Sequence, residues 1–139
     1  MTSDRLARNY LRRARARRRA LDTLLEERAF ADVVRESQEV VELLLKGALR
    51  FVGVDPPKRH DVRDAVLRAM DRFPAESRQE LRDLAEAGSK LARERSHAFY
   101  GDEEGMLDAS ELFNAEDGRR SVAVVDRVLA LYARLLAEP

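Results

Sequence analysis

The stretch Phe30-Ala-Asp-Val-Val-Arg-Glu-Ser-Gln-Glu-Val-Val-Glu-Leu-Leu-Leu-Lys-Gly-Ala-Leu-Arg-Phe-Val52 decides the fold. Phe30, Val33, Val34, Ser37, Val40, Val41, Leu44, Leu45, Ala48, Phe51 and Val52 recur at three and four, the spacing that gathers side chains on one side of an α-helix. The apolar arc is wide, so this helix is expected to touch several neighbours and to stand at the centre of the domain. Gly53-Val-Asp-Pro-Pro-Lys-Arg-His60 ends it, because consecutive prolines cannot continue a helix and push the residues before them into extended geometry.

Toward the N-terminus, Leu6, Tyr10, Ala14, Leu21, Leu24 and Leu25 mark the stripe of a first helix, with Thr2 or Ser3 as its cap. Arg5, Arg8, Arg12, Arg13, Arg15, Arg17, Arg18 and Arg19 crowd the same segment against Asp4 alone. They form either a solvated basic face or a contact for RNA or a nucleotide. Beyond the proline connector, Asp61 caps a shorter helix carrying Val62, Ala65, Val66, Ala69, Met70 and Phe73, which Pro74 terminates. Glu76 or Ser77 then opens a long helix with Leu81, Leu84, Ala85, Gly88, Leu91, Ala92 and Phe99 on its core face, and the small Ala85, Gly88 and Ala92 predict a close helix approach. Gly101 stops that helix. Asp102 to Gly118 reads as a loop with Leu107, Leu112 and Phe113 packing back, and Val122, Val125, Val128, Leu129, Tyr132, Leu135 and Leu136 predict one last helix.

Composition agrees with helices throughout. The 139 residues predict one domain, 1–139, and 45% hydrophobic with 37% charged residues and only 6 Gly and 4 Pro predict an all-α protein. With no cysteine there is no disulfide, thiolate metal site or cysteine nucleophile; no leader or membrane-spanning run is recognisable, so a cytoplasmic protein is expected. The formal net charge of zero gives no whole-molecule reason for nonspecific nucleic-acid binding, although the first twenty residues are basic and the segment after Gly101 is acidic.

The chemistry-bearing residues converge on Lys90-Leu-Ala-Arg-Glu-Arg-Ser-His-Ala-Phe-Tyr-Gly101. Arg93, His97 and Tyr100 are spaced by four and three and so share a helix face, with Lys90 a turn below. Guanidinium groups that hold a phosphate beside an imidazole that moves a proton are the minimum set for metal-free RNA cleavage at the 2′-hydroxyl, so Arg93, His97 and Tyr100 are the catalytic candidates. A solvated face, with Arg93 and Arg95 paired to Glu94 and Glu86, is the alternative. His60 and His97 are the only histidines and neither has a second ligand at zinc-site spacing, so no metal is expected. Phosphate-loop and dinucleotide motifs are also missing, and no cofactor is expected.

Ser37-Gln38-Glu39-Val-Val-Glu42-Leu-Leu-Leu-Lys46-Gly-Ala-Leu49, Gly53-Val-Asp-Pro-Pro57, His60-Asp61-Val62 and Ala92-Arg93-Glu-Arg95 leading to Tyr100-Gly101-Asp102 together resemble the HEPN domain family, a nucleotide-binding domain of higher eukaryotes and prokaryotes. The resemblance implies an up-and-down bundle of four long helices with a short helix after the central one, a homodimer, and a role as toxin-like partner of a separate MNT-type nucleotidyltransferase. It also implies nucleotide or RNA binding, for which Lys90, Arg93, Arg95, His97 and Tyr100 are the expected contacts. Many members are ribonucleases in which four to six residues separate an arginine from a histidine. Here Arg93 and His97 are separated by three, and Tyr100 falls where that histidine would stand. A phenol is a poor general base at neutral pH. Tyr100 is instead the expected site of modification by the nucleotidyltransferase, by analogy with a family motif in which a tyrosine follows that histidine. The Glu42 and Lys46 pair reads as an intrahelical contact, and His60 as a residue that fixes the connector by bonding to backbone. A metal-free ribonuclease toxin and a non-catalytic interaction module are the other readings.

Overall fold

Phe30–Phe51 forms the helix α2, and its interfaces with three other long helices are the largest in the molecule. Those partners are α1 (Thr2–Glu26), α4 (Arg78–Tyr100) and α6 (Ala115–Leu135), with short helices α3 (Arg63–Arg68) and α5 (Ala109–Leu112) between them. This computed structural model describes residues 2–137. Among them no strand forms, and a single bridge pairs Asp102 with Leu107. The side chains of Thr2 and Ser3 lie outside the described residues, and with them the expected cap of α1. None of the described helices is long and apolar enough to cross a membrane.

The core is built on α2, where Val33, Val34, Val40, Val41, Leu44, Leu45 and Leu49 are buried against Leu21 of α1, Leu81 and Leu84 of α4, and Val125, Val128 and Tyr132 of α6. At Gly88 of α4, an added Cβ would lie 3.1 Å from Leu45 Cδ1 and 3.2 Å from Val41 Cγ1, so the expected close approach there is made by α2 side chains.

Three expectations change. The fully buried residues of α1 are Ala7, Leu11, Ala14 and Leu21, while the expected Tyr10, Leu24 and Leu25 pack against the core partly buried, so the stripe is widened by Ala7 and Leu11. Phe99 is 53% exposed and is not a core residue. The segment after Gly101 is not one continuous loop. Asp108 accepts from Ser110 N and Glu111 accepts from Asp108 N, a reciprocal cap that starts α5; Asn114 and Asp117 repeat the device and start α6 at Ala115.

Candidate functional site

α2 carries a polar line along the flank of its apolar arc, made by Gln38, Glu42 and Lys46 on successive turns. Gln38 is buried, 1% exposed, and bridges two helices: its Nε2 donates to Glu42 Oε1 at 2.8 Å and its Oε1 accepts from Arg95 of α4. Arg95 Nη1 also lies 2.7 Å from Glu39 Oε1. Both contacts use Nη1, and the guanidinium fork has further donors at Nη2 and Nε.

The connector brings His60 to the same place. Its Nδ1 donates to Glu42 Oε1 at 2.9 Å, while Lys46 Nζ donates to Glu42 Oε2 at 2.9 Å. His60 therefore binds a side chain, not backbone as its sequence context suggests. The Glu42 and Lys46 pair is present but belongs to a larger network. Burial raises the Glu42 carboxyl, and hydrogen bonds from Gln38, Lys46 and His60 outweigh that burial and hold it below the usual carboxylate range. Glu42 is consequently a fixed anion that orients His60, leaving Nε2 as the ring's outer nitrogen.

Above this network opens a cleft of about 410 Å³ lined by Arg35, His60, Ala92, Arg95, Ser96, Phe99 and Tyr100. The Arg35 guanidinium lies 4.4 Å from the Phe99 ring centroid, and Phe99 meets Tyr100 edge-on at 4.6 Å. Two cations, an imidazole and two exposed rings thus face one space. Arginine forks suit phosphate oxygens, and aromatic faces suit bases.

The residues expected to act together are divided by the helix. Arg95 and Tyr100 line the cleft. Arg93 turns toward the connector, where its Nη1 donates to Ser89 Oγ at 3.0 Å and Ser89 Oγ donates to Asp61 Oδ2 at 2.6 Å. Burial raises the Asp61 carboxyl, but the Ser89 hydroxyl, the Arg63 N–H and the charges of Arg93 and Arg59 more than offset this and lower it. Lys90 faces α6, in a groove shared with Glu94, Asp117 and Arg120. His97 is exposed, and two residues along α4 turn it by roughly 200° from Arg95. The paired solvated-face alternative also fails in detail, since Glu86 bonds to Arg63 and Arg95 to Glu39.

The sequence matches the HEPN domain family over residues 7–135. The chain belongs to the HEPN domain family. No curated protein and no solved structure matches it. In this HEPN domain the stretches that carry the resemblance meet in space: Gln38, Glu42 and Lys46 from α2 form the network beneath the cleft that His60 from the connector and Arg95 and Tyr100 from α4 line. Arg35 and Phe99 complete it, and neither stands out in the sequence as part of a site. The available signal was the polar line of Gln38, Glu42 and Lys46 interrupting a strongly apolar helix. No group of three or more His, Cys, Asp or Glu among the described residues could hold a metal ion.

Proposed function

We propose that this HEPN domain binds a nucleotide or the terminal nucleotides of an RNA in the cleft between α2 and α4. The observation that carries the reading is the convergence of Arg35, Arg95 and His60 with the exposed rings of Phe99 and Tyr100 around one opening. Arg35 and Arg95 hold phosphate, Phe99 and Tyr100 receive a base, and Glu42 holds His60 in place. Lys90, also expected as a contact, lies in the groove beside α6, His97 is not among the residues lining this space, and Arg93 acts on it by fixing the connector through Ser89 and Asp61.

The same proposal includes a homodimer and a separate MNT-type nucleotidyltransferase as partner, with the domain as the toxin-like half. Support comes from the family resemblance and from two features of the surface. Tyr100 is 63% exposed and open to modification, and Phe99, Met106 and Leu107 add apolar surface near it. A second reading, a metal-free ribonuclease, is favoured by the His60 and Glu42 pair, an oriented imidazole in the same cleft as two arginines. In that reading His60 moves the proton, and His97 does not.

Two titrations test this. Nucleoside monophosphates should bind the wild-type protein and lose about tenfold or more affinity in Arg95→Ala and in Arg35→Ala, whereas His97→Ala should bind as wild type. Equal binding by all four proteins would overturn the cleft assignment. Single-stranded RNA incubated in EDTA separates the second reading: cleavage lost in His60→Ala and Arg95→Ala but kept in His97→Ala makes the protein a ribonuclease, and intact RNA with every protein leaves binding as its role.

A further inference from the structure

The eight arginines of α1 are sorted by the fold. Arg17 Nη1 bonds to Glu36 Oε1 at 2.8 Å, and Arg18 Nε bonds to Asp126 Oδ1 at 2.7 Å, so these two fasten α1 to α2 and α6. Arg13 rests over the Tyr10 ring, 5.6 Å from its centroid. The other five, Arg5, Arg8, Arg12, Arg15 and Arg19, are all exposed. Their spacing of three, four, three and four places them in one line along the outer face of the helix. That line is roughly 21 Å long, with a cation about every 5 Å.

A groove of about 360 Å³ runs along it, lined by Arg8, Asn9, Leu11, Arg12, Arg15 and Arg19. None of these lining residues is acidic. Arg8 is bonded along its own helix to Asp4 at 3.1 Å, and Arg12 to Asn9, both exposed local contacts that a phosphate can exchange for its own. The large apolar side chains exposed on the described surface are Phe99, Tyr100, Met106 and Leu107, and none is on α1. A protein partner needs apolar anchors at the centre of its contact, whereas a sugar–phosphate backbone needs only regularly placed cations. The bias is also toward arginine rather than lysine, the side chain whose planar fork matches phosphate.

We propose that the outer face of α1 is a second binding surface that tracks the phosphate backbone of single-stranded RNA without reading its sequence. It lies on a different helix from the cleft and does not depend on it. Without exposed rings, the face offers no stacking, so its contribution is electrostatic and strongly salt-dependent.

The test is the salt dependence of binding to a labelled oligouridylate for three proteins: wild type, Arg8→Gln/Arg12→Gln/Arg15→Gln, and Arg8→Lys/Arg12→Lys/Arg15→Lys. Glutamine and lysine both favour helix, and circular dichroism checks that each variant is folded. The glutamine variant should lose about tenfold or more affinity at low salt, and its plot of log affinity against log salt should be shallower by about 2, at roughly 0.7 per lost phosphate contact. The lysine variant should keep the wild-type slope, and nucleoside monophosphates should bind all three alike. A folded glutamine variant with the wild-type slope would overturn the proposal. So would a wild-type protein that ignores oligouridylate but binds polyglutamate, or a parallel loss of monophosphate binding, which would place the effect in the cleft.

Discussion

Tyr132 shows how much one buried polar atom can specify. Its hydroxyl donates to the Ala7 carbonyl of α1 at 2.6 Å, and burial pushes the phenol well above its ordinary pKa. The raised phenol keeps its proton, so it donates across the joint between α6 and α1. Room for it exists only because residue 47 is glycine: an added Cβ there would lie 2.5 Å from Tyr132 Oη and 2.8 Å from Tyr10 Cδ2. Tyr132→Phe should cost about 1 kcal/mol, near the low end because the helical carbonyl keeps its other partner. Gly47→Ala should cost more, and adding Tyr132→Phe to it should return part of the loss, since the phenylalanine removes the nearer of the two obstructing atoms. Urea midpoints of the four proteins complete the cycle, and strict additivity would show that the two side chains do not compete for space.

The end of α4 makes a similar demand on backbone. Gly101 has φ 75°, and an added Cβ would collide with the Leu107 carbonyl oxygen and lie 2.8 Å from Ala109 N. Asp102 N donates to Leu107 O and Leu107 N to Asp102 O, both at 2.9 Å, closing the turn that leads into α5. Gly101→Ala should therefore cost about 1–3 kcal/mol and speed hydrogen exchange across residues 102–107. Gly53→Ala is its control: φ is 82°, but the nearest atom, Arg72 Nη1, is 3.7 Å away, so strain without collision should cost less. Equal losses would mean that the backbone angle alone decides. Such elements explain what was legible in the sequence. Helices with a continuous apolar period, α2 above all, could be read to within a residue or two, because burial is what their spacing encodes. α5 was missed because four residues have no period, and only the reciprocal Asp108 and Glu111 cap announces it. The candidate site groups differently in space than along the helix. Helix spacing joined Arg93, His97 and Tyr100 on one face, but Arg95, about 200° round the helix from Arg93 and from His97, is the residue that finds companions on α2 and the connector.

Across the whole molecule, a formal net charge of zero hides a charge network that closes the bundle on one side. Arg17 of α1, Glu39, Gln38 and Glu42 of α2, His60 of the connector and Arg95 of α4 form one connected set, and Asp61, Ser89 and Arg93 form a second beside it. Its two carboxylates with lowered pKa values, Glu42 and Asp61, bind protons less readily folded than unfolded. Their stabilisation is fully present above the ordinary values of 4.5 and 3.8 and is lost as pH falls through those values toward the folded ones. Urea midpoints should hold between pH 6 and 7 and drop below about pH 4.5. Glu42→Gln separates the network from general acid unfolding. The amide keeps the shape but cannot be a fixed anion for Lys46 and His60, so this variant should be less stable than wild type at pH 7, and the gap should narrow as the solution is acidified. A gap that stays constant down to pH 3, or no gap at all, would show that the charge of Glu42 does not carry its contribution. It would also remove the anchor that holds His60 in the cleft, so nucleoside monophosphate affinity measured on the same variant reports whether the network serves the ligand or only the fold.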